Sequence, residues 1–287
     1  MAEHVRLREV NLAQLREMLE EGLISNEQFQ RLRRIAGAAA TRTIRRTRAL
    51  SWHLAKLTFR LIVFGIMLYV YLTRYEVLEG FLTQPFYARF TPLHVVWLLF
   101  MGVMIAHLVP NNRLTMAWRK ARESAFEPVE GYDRLELLDF VQDQNIKAWN
   151  VMLIWLIFNA IWGILYLVDV LRAGDLLMLT VFYFLSDYLC ILLFCPFQTA
   201  IMHNKCCINC RIYDWGHFMM FTPMLFIKNF FSWSLFFTSA VVLIHWERAY
   251  AKHPERFWEG SNRTLQCAHC KEQTCQIKKR LRPPRES

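Results

Sequence analysis

Glycine and proline are scarce in this chain, at 10 and 9 of 287 residues. No glycine-rich phosphate loop, nucleophile elbow or His-Glu-x2-His zinc-protease motif occurs. So few glycines leave little room for a nucleotide-binding fold. The acidic stretch 127–143 lacks the alternating oxygen ligands of a calcium loop. Charge is sparse as well: Asp, Glu, Lys and Arg make up only 20% of the residues. The same composition excludes a disordered chain, a collagen and a small disulfide scaffold. No long apolar run precedes residue 57, so no cleavable signal peptide is expected.

What the chain has in abundance is apolar surface. Hydrophobic residues account for 55%, with 22 Phe, 10 Trp and 10 Tyr. Mean hydropathy is +0.18 despite 34 Lys and Arg, so the apolar residues must be gathered in blocks. A membrane-spanning helix needs about 20 mostly apolar residues. Segments 57–73, 92–109, 149–171, 176–200 and 230–246 meet that description, and aromatics such as Tyr69, Trp97, Trp149 and Trp246 mark their ends. The expected fold is all-α, a polytopic transmembrane helix bundle of about five spans. Residues 1–50 are expected to form a cytoplasmic helical hairpin and basic juxtamembrane segment, 51–247 the transmembrane domain, and 248–287 a basic, Cys-rich tail.

Positive charge predicts the orientation. Residues 1–56 carry eleven Lys and Arg and the 111–148 loop six, against Arg74, Arg89 and Arg172 on the opposite loops. The N-terminus is therefore placed in the cytoplasm of a bacterial cell, in its inner membrane. The last apolar stretch, 218–246, is interrupted by Pro223 and by Lys228 and Asn229. A single tilted crossing would put the basic tail outside, whereas a re-entrant hairpin would keep it inside. Two full crossings do not fit in that stretch, and irregular backbone exposed to lipid is forbidden. Both arrangements stay open, with the single crossing preferred.

Before the first apolar block, Leu12, Leu15, Met18 and Leu19 recur at helical spacing, Gly22 interrupts them, and Ser25 with Gln28 reads as a capping box. Phe29, Leu32 and Ile35 then share one face. Residues 12–35 resemble the SHOCT family of short bacterial helical modules. That resemblance implies an interaction or oligomerisation element without chemistry of its own. An amphipathic hairpin lying on the membrane fits the same residues. The Arg-rich run that follows, 31–48, points to anionic lipid rather than nucleic acid as its partner.

All eight cysteines lie from Cys190 onward. Cys206, Cys207 and Cys210 form one cluster, and Cys267, Cys270 and Cys275 a second. Two thiolates in a Cys-x2-Cys pair can point at one ion. Cys207, Cys210, Cys267 and Cys270 are thus candidate ligands of a tetrahedral metal site. Cys206, Cys275, His203, His217 and His269 are auxiliary candidates, and Lys205 and Arg211 would offset the thiolate charge. Zinc is the first expectation and an iron–sulfur cluster the second. Redox thiols, lipidation and disulfides are further readings. A joint site requires both clusters on one side of the membrane. Cys190 and Cys195 are read as packing residues. Haem is disfavoured, because His94 and His107 would face nearly opposite sides of one helix.

Within the apolar blocks, Asp187 is the conspicuous charge and Asn159 lies at similar depth. A neutral Asp187 hydrogen-bonded to Asn159 is expected, with a transport pathway as the alternative. Arg60 and Asp169 are expected to snorkel from segment ends. The cluster 206–215, the run His253, Pro254, Glu255, Arg256, Phe257, and the tail Cys pair together resemble bacterial multi-pass membrane proteins, a resemblance that implies no activity. Three functions remain: a membrane thiolate-metal protein in electron transfer or redox or metal sensing, a transporter or channel-like protein using Asp187 and Asn159, and a non-catalytic scaffold. The lipid bilayer, a second copy of the chain or a membrane partner protein are the expected partners.

Overall fold

The computed structural model describes residues 18–19, 21–30, 48–83, 87, 90–109, 123–204, 207 and 209–266. Among them the secondary structure is helical, with one isolated antiparallel bridge, Pro128 to Asn262. From residue 48 on, the described α-helices are, in order, α1 Arg48–Thr73, α2 Tyr75–Thr83, α3 Pro92–Leu108, α4 Arg134–Leu167, α5 Ala173–Leu192, α6 Gly216–Phe221 and α7 Phe230–Lys252. The stretches Ser51–Thr73, Arg134–Leu167, Ala173–Leu192 and Phe230–Lys252 are long and apolar enough to cross a membrane, and Pro92–Leu108 is a shorter apolar helix.

Local sequence explains where these helices start. Asp133 caps α4 by accepting the Leu135 N–H at 2.7 Å, and Asn229 caps α7 through the Phe231 N–H at 3.1 Å. Pro92 opens α3 at a position where no N–H is needed, and His94 Nδ1 accepts the Thr91 N–H at 3.0 Å. The tight turn between α4 and α5 closes when Asp175 accepts the Arg172 N–H at 2.7 Å. The expected capping box is present too. Gln28 N–H donates to Ser25 Oγ at 3.2 Å, and Ser25 N–H donates back to Gln28 Oε1 at 2.9 Å. Gly22 has φ 70°, and Phe29 is buried. Leu12, Leu15, Leu32 and Ile35 lie outside the described residues.

The bundle has two ends. Thr73, α2, Pro92, the α4–α5 turn and Asn229 gather at one, the hairpin end. Arg134, Leu192, Cys207, Arg211 and Lys252 gather at the other, the cysteine end. Helix α1 packs on α5, and α3 on α7. The outer faces stay apolar: Ile62, Ile66, Leu99, Ile157, Ile161 and Ile164 are all exposed. A helix apolar on its outward face suits hydrocarbon rather than water. At 34 residues, α4 is about 51 Å long and projects past the bundle at the cysteine end. There Trp258 stacks on Phe140, and Val129 N–H bonds Ser261 O at 2.9 Å.

The stretch 218–246 is not one continuous helix. A broken helix built from Arg211–Trp215, α6 and Thr222–Phe226 leads from the cysteine end to the hairpin end, and α7 then returns. Its start is fixed by Arg211 bonding Glu247 and Asn145, and its finish by Asn229 bonding the Leu82 carbonyl. The expected shortage of length is resolved by geometry. Ten residues of 3-10 helix at about 2.0 Å and six of α-helix at about 1.5 Å span about 29 Å. The broken helix also begins seven residues before Phe218. Its irregular backbone is enclosed by α4, α5 and α7, as unpaired backbone groups require. Phe226 fits only because position 163 is glycine: a Cβ there would lie 2.2 Å from the Phe226 ring. The chain through Gln266 therefore ends on the same side as Cys207 and Cys210.

Candidate functional site

The cysteine end is shaped by how α5 stops. Cys190 lies in its last turn, and Cys195 and Pro196 follow beyond Leu192. A widened π-turn, Gln198–Met202, comes next, and it ends at His203 with φ 52°. This geometry turns Gln198 fully inward. Its backbone N–H donates to Cys195 Sγ at 3.4 Å, and its side-chain amide donates to Asn204 O at 2.9 Å. Cys207 Sγ then donates to Gln198 Oε1 at 3.1 Å and to Cys190 O at 3.4 Å. Cys210 is buried beside Ile212, Trp215, Trp246 and Phe257. The Cys207–Cys210 loop thus folds back into the protein. Its four described cysteines, Cys190, Cys195, Cys207 and Cys210, are thiols, with no disulfide among the described residues.

Of the predicted metal ligands, Cys207 and Cys210 are placed at this end. Cys206, Cys267, Cys270, Cys275 and His269 lie outside the described residues. Among the described residues, no group of three or more His, Cys, Asp or Glu side chains is arranged to hold a metal. His203 is exposed, with Nδ1 3.0 Å from Ile201 O. His217 belongs elsewhere: it sits on α6 with its ring 5.0 Å from that of His107, whose Nδ1 is 3.7 Å from Asp214. Arg211 is not directed at the thiols either. Its guanidinium bonds Glu247 and Asn145 and lies 4.1 Å from the Tyr250 ring. The tail does approach the first cluster. Asn209, between Cys207 and Cys210, donates to Leu265 O at 3.2 Å and to Glu259 at 3.3 Å.

The expected pairing of Asp187 with Asn159 is not formed. Asp187 accepts a 2.7 Å bond from Arg60, which also bonds the Phe184 carbonyl. The guanidinium is sandwiched near the Phe184 and Tyr188 rings, at 4.2 and 4.3 Å. Arg60 therefore turns inward rather than snorkelling. One reason is that α1 packs along α5, which brings the two charges together. Gly216 permits the approach from the other side, since a Cβ there would lie 2.9 Å from Asp187 Oδ1. Asn159, almost wholly buried, donates to Trp155 O at 2.9 Å and accepts from the Tyr183 hydroxyl at 3.3 Å. It is a core polar contact. His94 and His107 sit at opposite ends of α3 against different neighbours, Phe231 and His217.

A cavity of about 460 Å³ joins these features, lined by Asp187, the four thiol-bearing residues and aromatic side chains of α4 and α5. Sequence reading passed over Gln198; it took Arg60 for a snorkelling side chain and Cys190 and Cys195 for packing residues. The available signal was the spacing of Asp187 and Cys190, one helical turn apart. No family model, curated protein or solved structure matches this chain.

Proposed function

We propose that this chain is a polytopic protein of a bacterial inner membrane, with its N-terminus and cysteine end in the cytoplasm. Its cytoplasmic face holds a metal through Cys207, Cys210, Cys267 and Cys270, in electron transfer or in redox or metal sensing. The observation that carries this reading is the bond from Asn209 to Leu265. Leu265 is two residues before Cys267, and two residues of chain reach about 7 Å at most. Helix α7 runs back toward Cys207, so Leu265 lies at the cysteine end, which supports a joint site. Zinc remains the leading ion because two Cys pairs are its commonest structural ligand set. An iron–sulfur cluster uses the same four thiolates. Loading requires the Cys207 thiol to leave Gln198. The Arg-rich run 31–48 would rest on anionic lipid, and the N-terminal hairpin would join a second copy or a membrane partner.

Elemental analysis of reduced, purified protein tests the site. About one metal equivalent is expected, lost to a similar extent when either Cys pair is replaced by Ser. Metal-free wild type, or a double variant that keeps its metal, removes the proposal. Reporters fused after Ala121 and at Ser287 test orientation, and both are expected to be active only in the cytoplasm. A second reading is favoured by the Arg60–Asp187 pair at the cavity: a transporter with Asp187 on its pathway. Solute flux in vesicles that disappears in Asp187→Asn would select it.

A further inference from the structure

The cavity of about 460 Å³ lies within the range of about 300–1,000 Å³ usual for small-molecule sites. Phe158, Phe182 and Phe194 line it and are 44%, 48% and 57% exposed on the apolar outer face, so they frame its mouth. With α4 and α5 crossing a bilayer, that mouth opens sideways into hydrocarbon. Deeper in, α5 brings two neighbouring polar residues to the wall, Ser186 and Asp187. Asp187 Oδ2 accepts from Arg60 at 2.7 Å, while no donor among the described residues reaches Oδ1. Oδ1 lies against Gly216, where the missing side chain leaves room, since a Cβ would stand 2.9 Å from it. The Ser186 hydroxyl likewise makes no hydrogen bond among the described residues.

An open acceptor and an open hydroxyl inside an apolar cavity restrict the occupant. Its body is hydrocarbon, because a strongly hydrated molecule would have to shed its water to pass a rim of phenylalanines. Its head has to give a hydrogen to Asp187 and can take one from Ser186. A carboxylate or phosphate head would instead meet the Asp187 charge at close range. A cationic head would stand beside a carboxylate that Arg60 already neutralises, with little to offset its own desolvation. A hydroxyl donates, accepts and carries no charge. We propose that this cavity binds a single-chain, membrane-soluble alcohol, its chain passing between the phenylalanines and its hydroxyl resting on Asp187 and Ser186. The site shares with the proposed function only the membrane position of α4 and α5, and no step in it uses the metal.

Competitive photolabelling tests it. The full chain in phospholipid nanodiscs is equilibrated with hexadecanol bearing a diazirine in its chain, irradiated and mapped by peptide mass spectrometry. Label should concentrate on cavity-lining residues of α5 and of 213–220. Unlabelled hexadecanol should compete about tenfold better than hexadecyl methyl ether, which has no hydrogen to donate, and better than hexadecanoate at pH 9. Replacing Arg60→Met with Asp187→Leu removes the acceptor without leaving Arg60 unpaired, and cavity labelling should fall about tenfold or more. Label spread evenly over the outer faces overturns the proposal. So does equal competition by the ether or the carboxylate, which would mean that a hydrocarbon chain alone enters the cavity. Undiminished labelling in the double variant overturns it too, and if that variant fails to fold the wild-type competition series decides. Metal content, measured separately, has no part in the readout, so failure here leaves the metal reading standing.

Discussion

Arg211 and Arg60 each meet a carboxylate in the bundle, but their surroundings differ. Arg211 is held by side chains of two helices. Glu247 and Asn145 accept from its guanidinium, the Tyr250 ring lies against it, and its carbonyl accepts the Trp246 indole N–H at 2.8 Å. Glu247 is held as well, by the Trp215 indole N–H at 2.8 Å. Arg60 lies near two rings, those of Phe184 and Tyr188, and its carboxylate partner forms part of a cavity wall. One pair joins the broken helix to α4 and α7. The other has space on one side, where a ligand, water or proton can reach the acid. A buried ion pair therefore reads as structure in the first case and as a candidate site in the second.

The largest effect is expected where the pair anchors the broken helix. Arg211→Ala takes the ionic partner from Glu247 and the anchor from the broken helix, at a cost of about 2–3 kcal/mol. Thermal unfolding in detergent micelles should show it, with Glu247→Gln milder because an amide oxygen still accepts. The contrast between the two arginines breaks if Arg60→Ala proves equally damaging.

A smaller loss is expected at the cavity. Asp187→Asn keeps an acceptor for Arg60 and should cost about 1 kcal/mol. Replacing both partners by apolar groups, Arg60→Met with Asp187→Leu, should return stability close to wild type. The Arg60→Met change alone should be worse than the double variant. A double variant less stable than either single one would show that the pair stabilises the fold on its own account.

Much of this fold is legible in the sequence, because helix-forming apolar blocks announce themselves by length and composition. The Ser25–Gln28 box was readable from local pattern alone. The broken helix was not. Its length depends on 3-10 geometry in the residues before α6 and around Pro223, and its irregular backbone is tolerated only because three helices enclose it. Asp187 stood out as an intramembrane charge, but its partner did not. Arg60 sits near the start of an apolar block, where a long side chain normally reaches outward, and only the packing of α1 on α5 turns it inward. Cys190 and Cys195 were indistinguishable from packing residues until the turn after α5 set Gln198 between Cys195 and Cys207. The half of the thiolate set in the tail is carried by sequence spacing, together with the contact that Asn209 makes with Leu265.

The smallest effect separates a permanent cation from a neutral donor. At the hairpin end, Asp175 is held by hydroxyls: Tyr71 donates at 2.9 Å and Tyr75 at 3.3 Å. Burial and the neighbouring Asp175 charge push the Tyr75 phenol from its ordinary value near 10 up to about 12. Only the protonated phenol can donate, so the native state keeps its proton in a range where the unfolded chain has already lost it. The contribution of Tyr75 is thus fully present below pH 10 and disappears between pH 10 and 12. Tyr75→Phe should cost about 0.5–1 kcal/mol at pH 8, and the difference from wild type should shrink to nothing by pH 12. The deficit of Arg211→Ala does not depend on the Tyr75 hydroxyl and should survive the same titration. Chemical denaturation of the three proteins at pH 8, 10 and 12 provides the measurement. A Tyr75→Phe deficit that persists unchanged at pH 12 would show that the ring's packing, rather than its hydroxyl, supplies the stabilisation.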